Sequence, residues 1–572
     1  MIKFLRDGVG VTRASGMSVE GAPSKPVWRG LVLVALTYVV AVSLFFRKVI
    51  ASGFDRGFSD RADGIIEISI LEHWRNVLAG ASTWNVTNYF HPYPATLGYN
   101  DGYFLYGLVY AFWRLLADPF LADTLNIATF KTIGFFAAYL LVARSLRWGR
   151  GAGLLVAFLF TNANGLMVQA GHAQLQSIAL LPVALLLAVA IPRAEREGRR
   201  MAACAAAAGL ALLLAAWLFT AFYMAWFTIF FGAVFAVCWA VTGGRWRPIA
   251  LLRVIVRHHL VLEVGGIVFA IAVIPFLTVY LPKARETGGQ MYQAVLHYLV
   301  RPLDPINVGT SNYVWGWLIR SLGDAMTEGE HNTGLPLLLF TLGVAALWQA
   351  IVRRRALGGA PVDPAFRAFA AAILLCWLLT IRIGSVSAWS LVYDLVPGAK
   401  GMRVVLRFQL FLILPVLLLV VGAWRRRAMD WSKRRPIMLA GALALLIAEQ
   451  FGSDVPVQVS RSLDGAALWS IPAPPKDCAS FFVVTARRNE PPYINAEHIA
   501  LYPHNVDAML LAEHWRLPTI NGFSTFNPPD WNFADPAALD YDSRIAVYAV
   551  RHGLTKICRL DVRAQQVWSL LR

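Results

Sequence analysis

The sequence predicts an all-α polytopic membrane protein of about eleven transmembrane helices, followed by a small C-terminal α/β domain outside the membrane. Three observations predict it. The chain has 572 residues, of which 57% are hydrophobic and only 15% charged, whereas a soluble chain carries about a quarter charged residues. The apolar residues gather in runs of about 17–25, the length a helix needs to cross a bilayer. The formal net charge of +18 gathers in short loops between those runs, the pattern that holds loops on the cytoplasmic side. A nucleic-acid-binding protein would instead interleave a basic face with aromatics, so no nucleic-acid partner is expected.

Residues 1–26 read as a cytoplasmic segment. Lys3, Arg6, Arg13 and Lys25, followed by Arg29, hold the N-terminus inside. The apolar run 27–46 is longer than the ~7–15-residue core of a cleavable signal, so it reads as the first anchor. Residues 51–120 form a large outer loop. Within it, 64–78 carries Ile65, Ile66, Ile68, Ile70, Leu71, Trp74, Val77 and Leu78, an amphipathic helix too short and too charged to span. The stretch GYFLYGLVYAFWRLL, 102–116, is a second helix lying in the interface. Counting it as a span would put the basic loops RSLRWGR and RAEREGRR outside.

The remaining spans are then 121–142, 152–168, 175–191, 201–219, 221–241, 260–281, 335–351, 368–383, 404–424 and 437–451. A tight outer turn, QAGHAQ, joins the second and third of these. A long polar outer loop, 282–332, follows 260–281. Spans and loops together make one transmembrane domain, 27–451. Each large basic loop falls inside, and the tail 452–572 falls outside. In the tail, SFFVVTA (480–486) and LTKICRLD (554–561) read as strands; VDAMLLAEHW (506–515) and ALDYDSRIAVYAVRHG (538–553) read as helices. No internal repeat is present, which counts against an inverted-repeat transporter.

Cys204, Cys238 and Cys376 lie in apolar runs and read as small core residues. Cys478 and Cys558 lie in the tail, in a compartment where disulfides persist. Two strands of one small sheet can bring their Cα atoms within the ~4.4–6.8 Å a disulfide needs. A bond and two unpaired buried thiols both remain open. No C-x-x-C or His/Cys metal spacing occurs, so zinc is not expected.

Three stretches carry residues suited to chemistry. The first is 59–101, with Asp60, Asp63, Glu67, Glu72 and Asp101 in a chain of 34 acids against 52 Lys and Arg. Asp63 and Glu67 stand one helical turn apart. A carboxylate at the rim of a lipid-facing cavity can act as a general base toward a hydroxyl; the same cluster also suits a solvated helix N-terminus. The second is the turn with His172, Gln174 and Gln176. Polar residues at that depth tend to be functional, as base, metal ligand or donor, and a turn histidine bonded to a carbonyl is the plainer alternative. The third is GAKGMRVVLRF, 398–408. Arg403 and Arg407, i and i+4 at the outer end of a span, share a helix face, and Lys400 adds to the patch. Such a pair makes a phosphate clamp, whereas snorkelling arginines belong mostly on the cytoplasmic side. Lys283, Arg285, Arg301, Glu328, Glu330 and His331 are further candidates in the long loop.

From the first span to Phe408, this order of elements resembles the GT-C superfamily of integral-membrane glycosyltransferases. SDRADGIIE stands at the first-loop position, so the resemblance points to Asp63 as the catalytic acid, with Asp60 as rival and Glu67 beside them. FHPYPATLGYNDGYFLYGLVYAFWRLL, which holds Asp101, is similar to the segment feeding the second interface helix. GHAQ, with His172 and Gln174, stands where many relatives keep an acidic pair, so a divalent metal is not supported by that turn. Arg403, Arg407, Lys400, His172, Gln174 and Asp101 would bind substrate. The chain also looks like a set of bacterial multi-span proteins with a Gly-His-x-Gln turn, a Glu-led span, a Gly-x-Arg-x-x-x-Arg-Phe span start and a Pro-Thr-x-Asn-Gly tail segment; here these read GHAQ, GEHNTGLPLLLF, GMRVVLRF and LPTINGFS. The resemblance implies an enzyme of the bacterial inner membrane. It would move a sugar from a polyprenyl-phosphate donor to a periplasmic or outer-leaflet acceptor, whether glycan, lipid or protein, among membrane lipids and without a nucleotide. The alternative is a non-enzymatic envelope protein that binds or moves a lipid-linked glycan.

Overall fold

The computed structural model describes residues 27–243, 248–323, 326, 329–353, 362–453, 458–484, 496–536, 538–561 and 567–571. The segment 1–26, with its basic residues, and Glu328 lie outside the described residues. The chain starts with α1 (Val27–Phe45), β1 (Arg56–Asp60), α2 (Asp63–Leu78) and α3 (Phe104–Trp113). Membrane-length and shorter apolar helices follow: α4 (Pro119–Leu140), α5 (Arg150–Thr161), α6 (Leu181–Arg196), α7 (Arg200–Leu218), α8 (Phe222–Thr242), α9 (His259–Ala272), α10 (Ile274–Thr287), α11 (Leu337–Trp348), α12 (Pro364–Thr380), α13 (Phe408–Arg434) and α14 (Pro436–Ala448). The tail adds β2 (Gln458–Ser460), β3 (Ser480–Val483), α15 (Ala496–Trp515), α16 (Tyr541–Arg551), β4 (Ile557–Leu560) and β5 (Trp568–Leu570).

In lipid every backbone N–H and C=O must be paired within its own segment, so apolar runs become helices. Seven helices among the described residues are long and apolar enough to cross a membrane: Trp28–Phe45, Pro119–Ser145, Arg150–Val168, Ala173–Arg196, Arg200–Leu218, Phe222–Thr242 and Val405–Arg434. The pair α9 and α10 makes an eighth if its 55° bend is counted within one span. The break is at Val273, and Pro275 just beyond it lacks an N–H and crowds the preceding turn. Three other runs expected to span are shorter apolar helices, Leu337–Arg353, Pro364–Thr380 and Pro436–Ala448. By the length and composition of these helices the chain is a helical multi-pass membrane protein.

A helix that is apolar all round is buried in protein or faces lipid. The span Val405–Arg434 has 94% of its apolar window buried and forms the centre of the bundle; Trp28–Phe45 has 17% and lies at its edge. The two ends of the bundle differ in charge. At one end the basic loops meet: Glu195 lies 2.7 Å from His258, and the Arg425 guanidinium sits 5.1 Å over the Trp148 ring. At the other end gather the segments expected outside. There β1 pairs antiparallel with β2, Arg47 Nη2 donates to Gly452 O at 2.6 Å, and Asn312 Nδ2 donates to Glu449 O at 2.9 Å.

The loop helix α2 departs from its expected amphipathic, interfacial setting. It is buried on nearly all sides, including Glu67, Glu72, His73 and Asn76. Residues over 400 positions downstream supply the cover and the partners. Asn76 Nδ2 donates to Glu513 Oε2 at 3.0 Å, and Arg61 Nη2 donates to both Asp507 oxygens at 2.8 and 2.9 Å. LPTINGFS lies along the same loop: Thr519 N donates to Asn88 O, His91 N to Thr519 O and Phe90 N to Asn521 O.

Both expected tail strands are present. They form a three-stranded sheet, β3 parallel to β4 and β4 antiparallel to β5. Cys478 and Cys558 are joined, with Cα atoms 5.6 Å apart and 80 positions between them. The chain-entropy model assigns a loop of that length about 4–5 kcal/mol of stabilisation. Alkylation of the unfolded, unreduced protein is expected to label Cys204, Cys238 and Cys376 but neither tail cysteine; labelling of the tail pair without reductant would refute the bond.

Candidate functional site

Asp63 is the first residue of α2, and the turn before it is tight. Asp60 Oδ1 accepts from Ala62 N at 3.0 Å and Gly64 N at 2.9 Å. A Cβ on Gly64 would lie 2.4 Å from Ser59 Cβ, so a side chain there would push the turn open. His172 lies in the turn joining two spans, held by His172 N to Gln169 O and by Leu175 N to His172 O. Gln169 Nε2 donates to Gly329 O at 2.8 Å, and His331 Nδ1 lies 2.6 Å from Asp304 Oδ2. Glu330, between Gly329 and His331, is thereby fixed from both sides. Arg407 closes a 3₁₀ turn, Val405–Arg407, directly before α13.

These four side chains meet. His172 Nδ1 lies 2.8 Å from Asp63 Oδ2, and His172 Nε2 lies 3.3 Å from Glu330 Oε1. Arg407 Nη2 donates to both Glu330 oxygens, at 3.2 and 3.3 Å, and its guanidinium sits 5.7 Å over the Tyr223 ring. Side-chain exposure is 33% for Asp63, 22% for His172, 27% for Glu330 and 8% for Arg407. A solute can therefore reach the first three, while Arg407 forms the floor.

Burial pushes the Asp63 carboxyl up, but the contact with His172 and its charge outweigh this and hold Asp63 below the ordinary range. Burial also pushes Glu330 up, and Arg407 and then His172 hold it well below. For His172, burial and Arg407 favour the neutral ring, but the Glu330 and Asp63 carboxylates prevail and raise it to about 9. Burial, then the neighbouring Asp63 charge, lifts Asp60 to about 6. At neutral pH the tetrad thus holds two carboxylates and two cations. The folded His172 binds its proton more tightly than the unfolded residue does. Its stabilisation is therefore full below about 6.5, the unfolded value, and lost as pH rises through about 9. NMR titration of labelled histidine is expected to show one ring titrating near 9, and Glu330→Gln is expected to lower that value.

Of the three candidate acids, Asp63 alone pairs with His172 among the described contacts. Asp60 caps the α2 turn. Glu67 is fully buried, 3.4 Å from Ser59 Oγ. Glu72 is engaged by Arg75, Arg114 and Tyr110. Asp101 Oδ1 accepts from Phe222 N at 2.9 Å and so caps α8; Gln174 Oε1 accepts from Tyr103 Oη at 3.1 Å. Gln176 is buried and donates to Leu166 O.

The two arginines do not share a helix face, because the helix starts at Phe408. Tyr223 Oη takes the backbone N–H groups of Arg403 and Val404, and Tyr298 O takes that of Leu406. Residues 402–404 are not helical. Arg403 points out over the Tyr298 ring, and exposed Lys400 pairs with Asp394. Lys283 is buried against Tyr99 and Glu286, Arg285 is exposed, and Arg301 pairs with Asp304. Tyr223 and Gln169, which shape the site, carry no sequence signal: one is an aromatic at the start of an apolar run, the other a turn amide.

A metal does not fit the histidine as it stands, since both ring nitrogens face carboxylates. No group of three His, Cys, Asp or Glu side chains among the described residues is arranged to hold one. Fold and site together define a helical multi-pass membrane protein with a charge-balanced Asp–His–Glu–Arg tetrad at one end of its bundle. No family model and no curated protein matches the chain.

Proposed function

We propose that this chain is a GT-C-like glycosyltransferase of the bacterial inner membrane. It transfers a sugar from a polyprenyl-phosphate-linked donor to a periplasmic or outer-leaflet acceptor. The observation that carries this reading is the convergence of Asp63, His172, Glu330 and Arg407 at the end of the bundle away from the basic loops. The acceptor hydroxyl approaches Asp63. As its oxygen bonds to the sugar's anomeric carbon, Asp63 takes the hydroxyl proton, and the bond from that carbon to the phosphate oxygen breaks. Polyprenyl phosphate leaves with the electron pair, and the His172 imidazolium and Arg407 stabilise its charge. Asp63 is a weak ground-state base, so it takes the proton as the new bond forms and not before.

The reading takes all eleven apolar runs as spans, including the three shorter helices and the bent pair. The N-terminus is then cytoplasmic and the tail forms a periplasmic α/β domain. Reporter fusions are expected to read cytoplasmic after Gly149 and Gly198 and periplasmic after Gly452; a cytoplasmic signal after Gly452 defeats this topology. Profiling of lipid-linked sugars tests the function. Loss of the gene is expected to accumulate one polyprenyl-linked sugar and deplete one glycosylated product. An unchanged profile refutes the reading.

One observation favours the non-enzymatic alternative, a binder or carrier of lipid-linked glycans. Arg407 and both nitrogens of His172 already have carboxylate partners, so an arriving phosphate competes with Glu330 for them. A carrier needs that exchange of partners and nothing from Asp63 as a base.

A further inference from the structure

One turn along α2 from Asp63 lies an acidic group that the proposed reaction does not use. Ser59 on β1, Glu67 on α2 and Asp123 on α4 are 0%, 0% and 1% exposed. Ser59 Oγ stands 2.5 Å from Asp123 Oδ2 and 3.4 Å from Glu67 Oε2. A serine hydroxyl has one hydrogen to give. Given to the nearer Asp123, it leaves the Glu67 contact without a hydrogen unless Glu67 supplies one.

Among the described residues no Lys, Arg or His pairs with Glu67 or Asp123. Glu67 faces Asp60 and Asp63 on its own side, Asp123 from α4, and the phenols of Tyr103 and Tyr106 from the α3 side. Among the described residues Glu67 Oε1 and Asp123 Oδ1 have no hydrogen-bond partner, and neither amide atom of Asn126 has one, although Asn126 is 0% exposed and lies three residues from Asp123 on the same helix. Two ionised carboxylates in that setting would repel each other in a poorly screened interior.

We propose that Glu67 is a protonated, neutral carboxylic acid that donates to Ser59, which in turn donates to Asp123. The triad is then an exchangeable-proton site. It ties β1, α2 and α4 together behind Asp63 without placing a second anion beside Asp123. Glu67 acts as a positioning residue. Burial first, and the Asp123 charge second, push its carboxyl well above the ordinary range. This inference concerns the resting protein and stands apart from the transferase reading.

Infrared difference spectroscopy on the full chain in vesicles at neutral pH tests it. Wild type is expected to show a protonated-carboxyl C=O band that shifts in D2O and is lost in Glu67→Gln. Glutamine keeps a donor and the side-chain length, so Glu67→Gln is expected to retain thermal stability while Glu67→Ala loses it. The folded form holds a proton that the unfolded form releases, so wild-type stability falls as pH rises above the ordinary carboxyl range, and that slope flattens in Glu67→Gln. Should Glu67→Gln not fold, Ser59→Ala decides: the band is expected to persist but move, having lost its acceptor. Absence of the band, or its persistence unchanged in Glu67→Gln or Ser59→Ala, overturns the proposal. So does a sodium-dependent thermal shift that Glu67→Gln abolishes, since the occupant would then be a metal cation.

Discussion

Asp63→Asn is expected to slow sugar transfer about 10²–10⁴-fold, with the protein still inserted and the tail disulfide still formed. Asparagine keeps the shape of the side chain and can still accept from His172. It cannot take a proton from an attacking hydroxyl, and it removes one of the two carboxylates that hold the His172 proton. The His172 titration should therefore fall in the same variant, an independent sign that the pair is real. Asp60→Asn is expected to cost far less, because Asp60 works through the N–H groups of Ala62 and Gly64 and asparagine caps a helix start about as well. The rate of label transfer from a polyprenyl-phosphate sugar in membrane vesicles checks both. Wild-type rates in Asp63→Asn would remove the enzyme reading and leave the carrier.

The second large effect is expected at Arg407. Removing one partner of a buried ion pair costs about 3–5 kcal/mol when the other charge is left uncompensated. Glu330 is 27% exposed, so the lower end of that range applies to Arg407→Ala. Adding Glu330→Gln removes the orphaned charge and is expected to restore most of the lost thermal stability. It is not expected to restore binding of a polyprenyl phosphate. A hydrogen bond to a charged group is worth about 1.5–3 kcal/mol, so affinity should fall about 10–100-fold, with little change for the matching polyprenyl alcohol. Arg407→Lys keeps the charge but loses the planar fork and should fall between. Arg403→Ala is expected to change neither quantity much, because Arg403 is exposed and stacks on Tyr298. An equal loss for phosphate and alcohol in the double variant would make Arg407 purely structural.

Much of the fold was legible in the sequence because its causes are local. Backbone pairing in lipid must be satisfied within a segment, so each apolar run is a helix, and the Phe104–Trp113 helix stands apart as short. The strands around Phe481 and Cys558 were legible from a short run rich in Phe and Val and from the Gly stop at Gly553. Of the site, Asp63, His172 and Arg407 were legible as polar residues in unusual places, and Glu330 as one acid in a long loop.

What the tertiary structure decided is which of these residues meet, and that depends on packing between segments far apart in sequence. Arg403 and Arg407 satisfy the i,i+4 rule, yet the rule fails because residues 402–404 are not helical and the helix starts only at Phe408. Asp63 led on paper by the resemblance alone, with Asp60 as rival and Glu67 beside them. Asp60 turns back onto Ala62 and Gly64, and Glu67 is shut in by Asp123, a residue of another helix. The polar face of α2 announced solvent until residues from the tail covered it. Periodicity and charge bias act over a few turns and determined by themselves that this chain is a helical membrane protein with basic loops between its spans. The tetrad needed the whole bundle, because a pairing between distant carboxylates and cations is set by the packing of the helices that carry them and leaves no mark on any one of those helices.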